Sequence, residues 1–75
     1  MNAERLVHDA NQIALYFAAY PREEAIAGVA DHLRKFWDPR MRAALGEILA
    51  AGECRVHDLV REAGRRLYAS PNATP

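Results

Sequence analysis

Three histidines stand beside aspartates: His8-Asp9, Asp31-His32 and His57-Asp58. Each doublet has the residue types of an acid–base pair, yet adjacent residues on a helix do not face one another. No serine or cysteine sits beside a base with a third orienting group, and Ser70 lies in the terminal "SPNATP", so nucleophilic catalysis lacks its constellation. Cys54 and His57 have the spacing of half a zinc site, but the other half is missing. Haem attachment needs two cysteines ahead of a histidine, and Cys54 is the only cysteine. Gly28, Gly46, Gly52 and Gly64 are isolated rather than gathered into a phosphate loop. The expectation is a chain that is not an enzyme by itself, with no catalytic, metal or cofactor-binding residues.

Binding chemistry is better supplied. "ADHLRKFWDPRMRAAL", Ala30 to Leu45, gathers Arg34, Lys35, Phe36, Trp37, Arg40, Met41 and Arg42 around one Asp38-Pro39 break. Part of that charge has a local mate, because Asp31 to Lys35, Asp38 to Arg42 and Glu62 to Arg66 stand four apart with the acid first. Arg34 and Arg40 have no obvious acidic mate beyond Asp31, and arginine suits bidentate contact with a carboxylate or phosphate. Phe36, Trp37 and Met41 admit two readings. They plug the corner between two helices, or they anchor an interface, where Trp, Tyr, Met and Arg are the enriched types. On the second reading the surface comprises Arg34, Phe36, Trp37, Arg40, Met41 and Arg42, extended by Tyr16 and Tyr20.

The elements that carry these residues are helical. Leu6, Val7, Ala10, Ile13, Ala14, Phe17 and Ala18 recur at three- and four-residue steps, with Asn2 as N-cap and a stop before Pro21. Asn11 falls near that stripe and needs hydrogen-bond partners, which a neighbouring helix would supply. A second helix opens with Pro21 at its first position and Glu23 and Glu24 at its positive end. Its stripe runs Ile26, Val29, Ala30, Leu33 and Phe36 or Trp37, with Ala25, Gly28 and Ala30 small enough for close approach by another helix. Asp38-Pro39 caps and opens a third helix through Met41, Leu45, Ile48 and Leu49, which Gly52 stops. A fourth spans about Val56 to Tyr68, facing Val56, Leu59, Val60, Ala63 and Leu67 inward. The fold class is therefore all-α, a small bundle of four short helices over residues 1–69. Residues 70–75 form a tail that is disordered or ordered by a partner.

Bulk properties agree with a small domain that leans on a partner. A chain of 75 residues buries only about 60% of the surface its unfolded form exposes, and domains of this size commonly need a staple, a metal or a partner. One cysteine excludes an internal disulfide and points to a reducing compartment. No signal peptide and no membrane-spanning run is expected. Ten Lys and Arg balance ten Asp and Glu, which disfavours general attraction to nucleic acid.

Two resemblances bear on function. "DPRMRAALGEILAAGECRVHDLVREAGRRL" has the cadence of winged-helix regulators of the ArsR type, but the sequence ends where a recognition helix should begin. A small helix-turn-helix-like regulator, or a protein-interaction adaptor, is the alternative reading. "ANQIALYFAAYPREEAIAGVADHLRKFWDPRMR", Ala10 to Arg42, resembles the delta subunit of the soluble NAD-dependent, molybdenum-containing formate dehydrogenases. "ANQIA", "AIAGVADHL" and above all "ADHLRKFWDPRMR" carry the likeness, with "DLVREA" further on. The resemblance implies a bacterial, cytoplasmic accessory subunit of a complex that oxidises formate to carbon dioxide and reduces NAD. It places bis-molybdopterin guanine dinucleotide and iron–sulfur clusters in the alpha subunit, and FMN with further clusters in the beta and gamma subunits. It implies no cofactor in this chain, no nucleic acid or membrane partner, and a role in assembly or stability, chiefly through the alpha subunit.

Overall fold

The computed structural model describes residues 2–69; the expected tail, residues 70–75, lies outside them. Four helices run in order: α1 (Ala3–Phe17), α2 (Arg22–Phe36), α3 (Pro39–Ala50) and α4 (Asp58–Gly64), the last continuing into a π-helical turn, Arg65–Ala69. The described residues contain no strand. The chain is all-α, as its periodicity requires. Helix α2 packs on α1 and α4, and α3 packs on the same two helices.

Local chemistry sets most boundaries. The Asn2 side chain accepts the Arg5 N–H at 3.1 Å to start α1, and the Asp38 carboxylate accepts the Met41 N–H at 2.8 Å to start α3. Pro21 stands one position earlier than the spacing predicts, as the extended residue before α2 rather than its first turn. Asp38 is engaged with the backbone and makes no ion pair with Arg42 among the described residues. Helix α3 ends with Gly52 at φ +80°, where the Glu53 N–H bonds the Ile48 carbonyl at 3.4 Å and the Gly52 N–H bonds the Leu49 carbonyl at 3.0 Å. These bonds satisfy carbonyls that the helix end leaves unpaired. An added Cβ on Gly52 would meet nothing within 4 Å, so Gly52→Ala should cost only the left-handed backbone term, about 1–2 kcal/mol. Urea unfolding of the two proteins would read that difference.

The fourth helix begins two residues later than its apolar pattern indicates. Val56 is buried but non-helical, and the His57 Nδ1 accepts the Leu59 N–H at 3.0 Å as the N-cap. Beyond Gly64 the helix widens into the π turn, which carries Tyr68 to α3. There the Tyr68 hydroxyl donates to the Arg42 carbonyl at 2.7 Å, and burial raises its pKa.

The core contains Leu6, Val7, Ala10 and Ala14 of α1, Ala25, Ile26, Val29, Ala30 and Leu33 of α2, Leu45 of α3, and Leu59, Val60 and Ala63 of α4, joined by Trp37 and Val56 from the connections. Leu33, Leu45, Val29 and Val60 are its largest fully buried side chains, each contributing about 1.5–3 kcal/mol by leaving water. Glycine permits two close approaches. A Cβ on Gly28 would stand 2.5 Å from the Phe17 ring, and one on Gly64 would collide with Leu49.

Asn11 finds its partners in the loop before α4, not on a helix. Its Nδ2 donates to the Arg55 carbonyl at 2.9 Å, and its Oδ1 accepts the His57 N–H at 2.8 Å. Arg61 ties down the same loop, donating to the Val56 carbonyl at 3.0 Å. In that loop Arg55 grips the Glu53 carboxylate through side chain and backbone, holding its pKa at about 2 instead of 4.5. That stabilisation is complete above the ordinary carboxylate range and is lost as pH falls toward 2.

Candidate docking surface

The Asp-Pro corner divides residues that the sequence places together. Trp37 is only 8% exposed and belongs to the core, while its neighbour Phe36 is 72% exposed. Trp37 is thus the corner plug and is not presented to a partner. Met41 is half-buried against the core. Arg42 is half-buried too, and its Nε is shut from solvent without an acceptor among the described residues. Arg34 pairs with Asp31 at 3.1 Å, and Lys35 reaches the same carboxylate at 3.1 Å, the Lys35 bond being the main cause of the lowered Asp31 pKa. Arg40 stays exposed, beside a hollow lined by Asp38, Pro39 and itself, and forms no ion pair among the described residues.

A surface does form, centred one helix face away. Helices α1 and α2 run as an antiparallel hairpin, which brings Phe17 against Gly28 and Ile13 to the level of His32. Between them lies an open cleft of about 460 Å³ lined by Gln12, Ile13, Tyr16, Phe17 and His32. Tyr16 meets Phe17 edge-on at 5.0 Å, and Phe17 meets Tyr20 at 5.7 Å. On the opposite wall His32 stacks on Phe36 at 4.7 Å. Tyr16 is 68% and Tyr20 46% exposed. The aromatic rings thus fall into two groups, Tyr20, Phe17 and Tyr16 at one side of the cleft and His32 with Phe36 at the other. Scattered exposed apolar residues are ordinary, whereas exposed aromatics gathered on both sides of a cleft make it the candidate contact surface.

Of the eight residues singled out from the sequence, Tyr16, Tyr20 and Phe36 belong to these two groups. Arg34 and Arg40 flank the end of α2, and Trp37, Met41 and Arg42 turn inward or against neighbouring helices. Gln12, Ile13, Phe17 and His32, which line the cleft beside Tyr16, are residues that the sequence reading did not assign to a surface. Their signal was the four-residue step, which sets Gln12 beside Tyr16 on α1 and His32 beside Phe36 on α2.

The acid–base doublets are occupied otherwise. Asp9 pairs with Arg5, Asp31 with Arg34 and Lys35, and Asp58 with Arg22, while His57 caps α4 and His32 lies on Phe36. No cluster of three or more His, Cys, Asp and Glu able to hold a metal ion occurs among the described residues. On α4 and its continuation, Arg65 approaches Glu62 at 3.8 Å and Arg66 bonds Glu23 across to α2. Among the described residues no helix is long and apolar enough to cross a membrane.

The family model of the NADH-dependent formate dehydrogenase delta subunit, FdsD, matches residues 5–63. The chain belongs to that family. The match runs from the first turn of α1 to the end of α4, so the delta-subunit likeness spans the helices that build the core and both walls of the cleft. No curated protein and no solved structure matches the chain. In this delta-family chain the "ADHLRKFWDPRMR" segment supplies Ala30, Leu33 and Trp37 to the core, one helix cap, Asp38, and one exposed aromatic, Phe36.

Proposed function

We propose that this delta-family chain is a non-catalytic accessory subunit that docks on a larger subunit of an NAD-dependent formate dehydrogenase and supports the assembly or stability of the complex. The partner we favour is the molybdenum-containing catalytic subunit. The observation that carries the reading is the set of exposed aromatics on both sides of the cleft between α1 and α2, in a chain where Asp9, Asp31 and Asp58 are held in ion pairs, His57 caps α4 and His32 stacks on Phe36. A domain of this size gains stability from covering such a surface, because burying apolar area is the main favourable contribution to association. In this reading the molybdenum cofactor, the iron–sulfur clusters, FMN and the NAD site belong to the other subunits.

Deleting the chain from its host should lower the amount of assembled complex while leaving formate-dependent NAD reduction per molecule of assembled, metal-loaded complex unchanged. A tagged copy purified from the host should bring down the large subunits with that activity. A fall in turnover at full assembly and full metal content would make the chain a participant in the reaction and defeat the reading.

A further inference from the structure

We propose that a groove between α3 and α4 with its π-helical continuation takes an acidic, partly apolar segment of a larger subunit. This deepens the accessory-subunit reading and rests on it. The groove shares no lining residue with the α1–α2 cleft. It holds about 470 Å³, within the range of roughly 300–1,000 Å³ typical of binding cavities. Leu49 and Ala50 of α3 and the ring of Tyr68 give it apolar walls. Gly46 lets that ring approach α3, since a Cβ there would stand 3.3 Å from it.

Charge in the groove itself sets the occupant. Arg61 and Arg65 stand one helical turn apart and both line it, while no acidic residue does so among the described residues. Arg61 donates to the neutral carbonyls of Val56 and Glu53, at 3.0 and 3.5 Å, and so keeps its charge uncompensated. A third cation stands at the Tyr68 wall. Arg42 has its Nε shut from solvent without an acceptor, and burial raises the Tyr68 pKa while the Arg42 charge opposes that rise. Of these three cations only Arg65 has an ion pair among the described residues, the long one to Glu62 at 3.8 Å. A neutral oxygen gains little from this surplus, whereas an anion is attracted by every charge in it. The arginine fork also matches the two oxygens of a carboxylate. Apolar walls beside the arginines call for an apolar side chain next to that carboxylate, which a protein segment supplies. Nucleic acid fits less well, because ten cationic residues are balanced by ten acidic ones over the whole chain.

The test uses the full chain in the complex assembled by its host. A photoreactive residue at the exposed rim, Ala50→p-benzoylphenylalanine, should cross-link to a larger subunit within about one helical turn of an Asp or Glu. Arg65→Glu should lower recovery of the larger subunits about tenfold or more, and Arg65→Lys much less, both with the circular dichroism spectrum of the parent. Recovery of the unaltered chain should decline with rising salt, and Arg65→Gln should flatten that decline. Changing the cross-linked Asp or Glu to Lys should restore recovery of the Arg65→Glu chain. Undiminished recovery with Arg65→Glu would overturn the groove proposal and leave the accessory reading standing. So would a cross-link to a segment without carboxylates, to residues 70–75 of this chain, to a second copy of it or to nucleic acid. If the unaltered chain brings down no formate dehydrogenase subunit, both fall.

Discussion

Trp37→Ala is expected to remove a large share of the stability of the isolated chain, while Phe36→Ala, one residue away, leaves it within about 0.5 kcal/mol of the parent. Trp37 is 8% exposed and Phe36 72%. Truncating a buried tryptophan costs about 3–5 kcal/mol, the lost transfer energy plus the cavity that remains. A chain of 75 residues has about 4–11 kcal/mol to lose at the usual stability per residue. The variant should therefore unfold at much lower urea or temperature, or fail to fold at all, as followed by far-ultraviolet circular dichroism. Its effect on the complex should follow from lost folding, whereas Phe36→Ala should weaken association without lost folding. Should Trp37→Ala melt like the parent, the corner is not built around this ring.

The second large effect is expected at Asn11. Asn11→Ala removes the acceptor of the His57 N–H and the donor to the Arg55 carbonyl, contacts of 2.8 and 2.9 Å that join α1 to residues 46 and 44 positions away. Each polar group left without a partner costs about 1–3 kcal/mol when buried, and this site is partly wet, so the expected loss is about 2–3 kcal/mol. Amide hydrogen exchange should localise it. The His57 N–H and the first turn of α4 should exchange faster than in the parent, with α2 and α3 changed only by the global loss. Uniform acceleration along the chain would show that Asn11 supports the fold at large and not the entry to α4.

Both predictions concern residues that the sequence marks without settling what they do. Phe36 and Trp37 are adjacent and chemically alike, and the helical stripe allows either one inside. The decision comes at the end of α2. The helix stops at Phe36, and Trp37 takes an extended conformation, φ −92° and ψ 137°, which takes it out of the helical register and into the core. Asn11 shows the same limit. Its need for partners follows from its place near the apolar stripe, but the partners lie in a loop whose path no local rule specifies. Gln12, Ile13, Phe17 and His32 went unrecognised because a cleft between two helices exists only once their axial register is set. The Phe17 ring lodging on Gly28 holds that register.

Composition, spacing and capping chemistry were enough for the all-α class, the four helices, the caps at Asn2 and Asp38 and the stop at Gly52. Each depends on residues within a few positions of one another, where φ/ψ preference and a single side-chain hydrogen bond decide. The family likeness was also legible, since it is written in the local run from Ala10 to Arg42. Tertiary structure alone decided which aromatic is core and which is surface, where Asn11 bonds, how Arg66 reaches Glu23, and that Tyr16 and His32 border one cleft. Those outcomes depend on how helices distant in sequence share a limited interior, and close packing admits one side chain to a given space and excludes its neighbour.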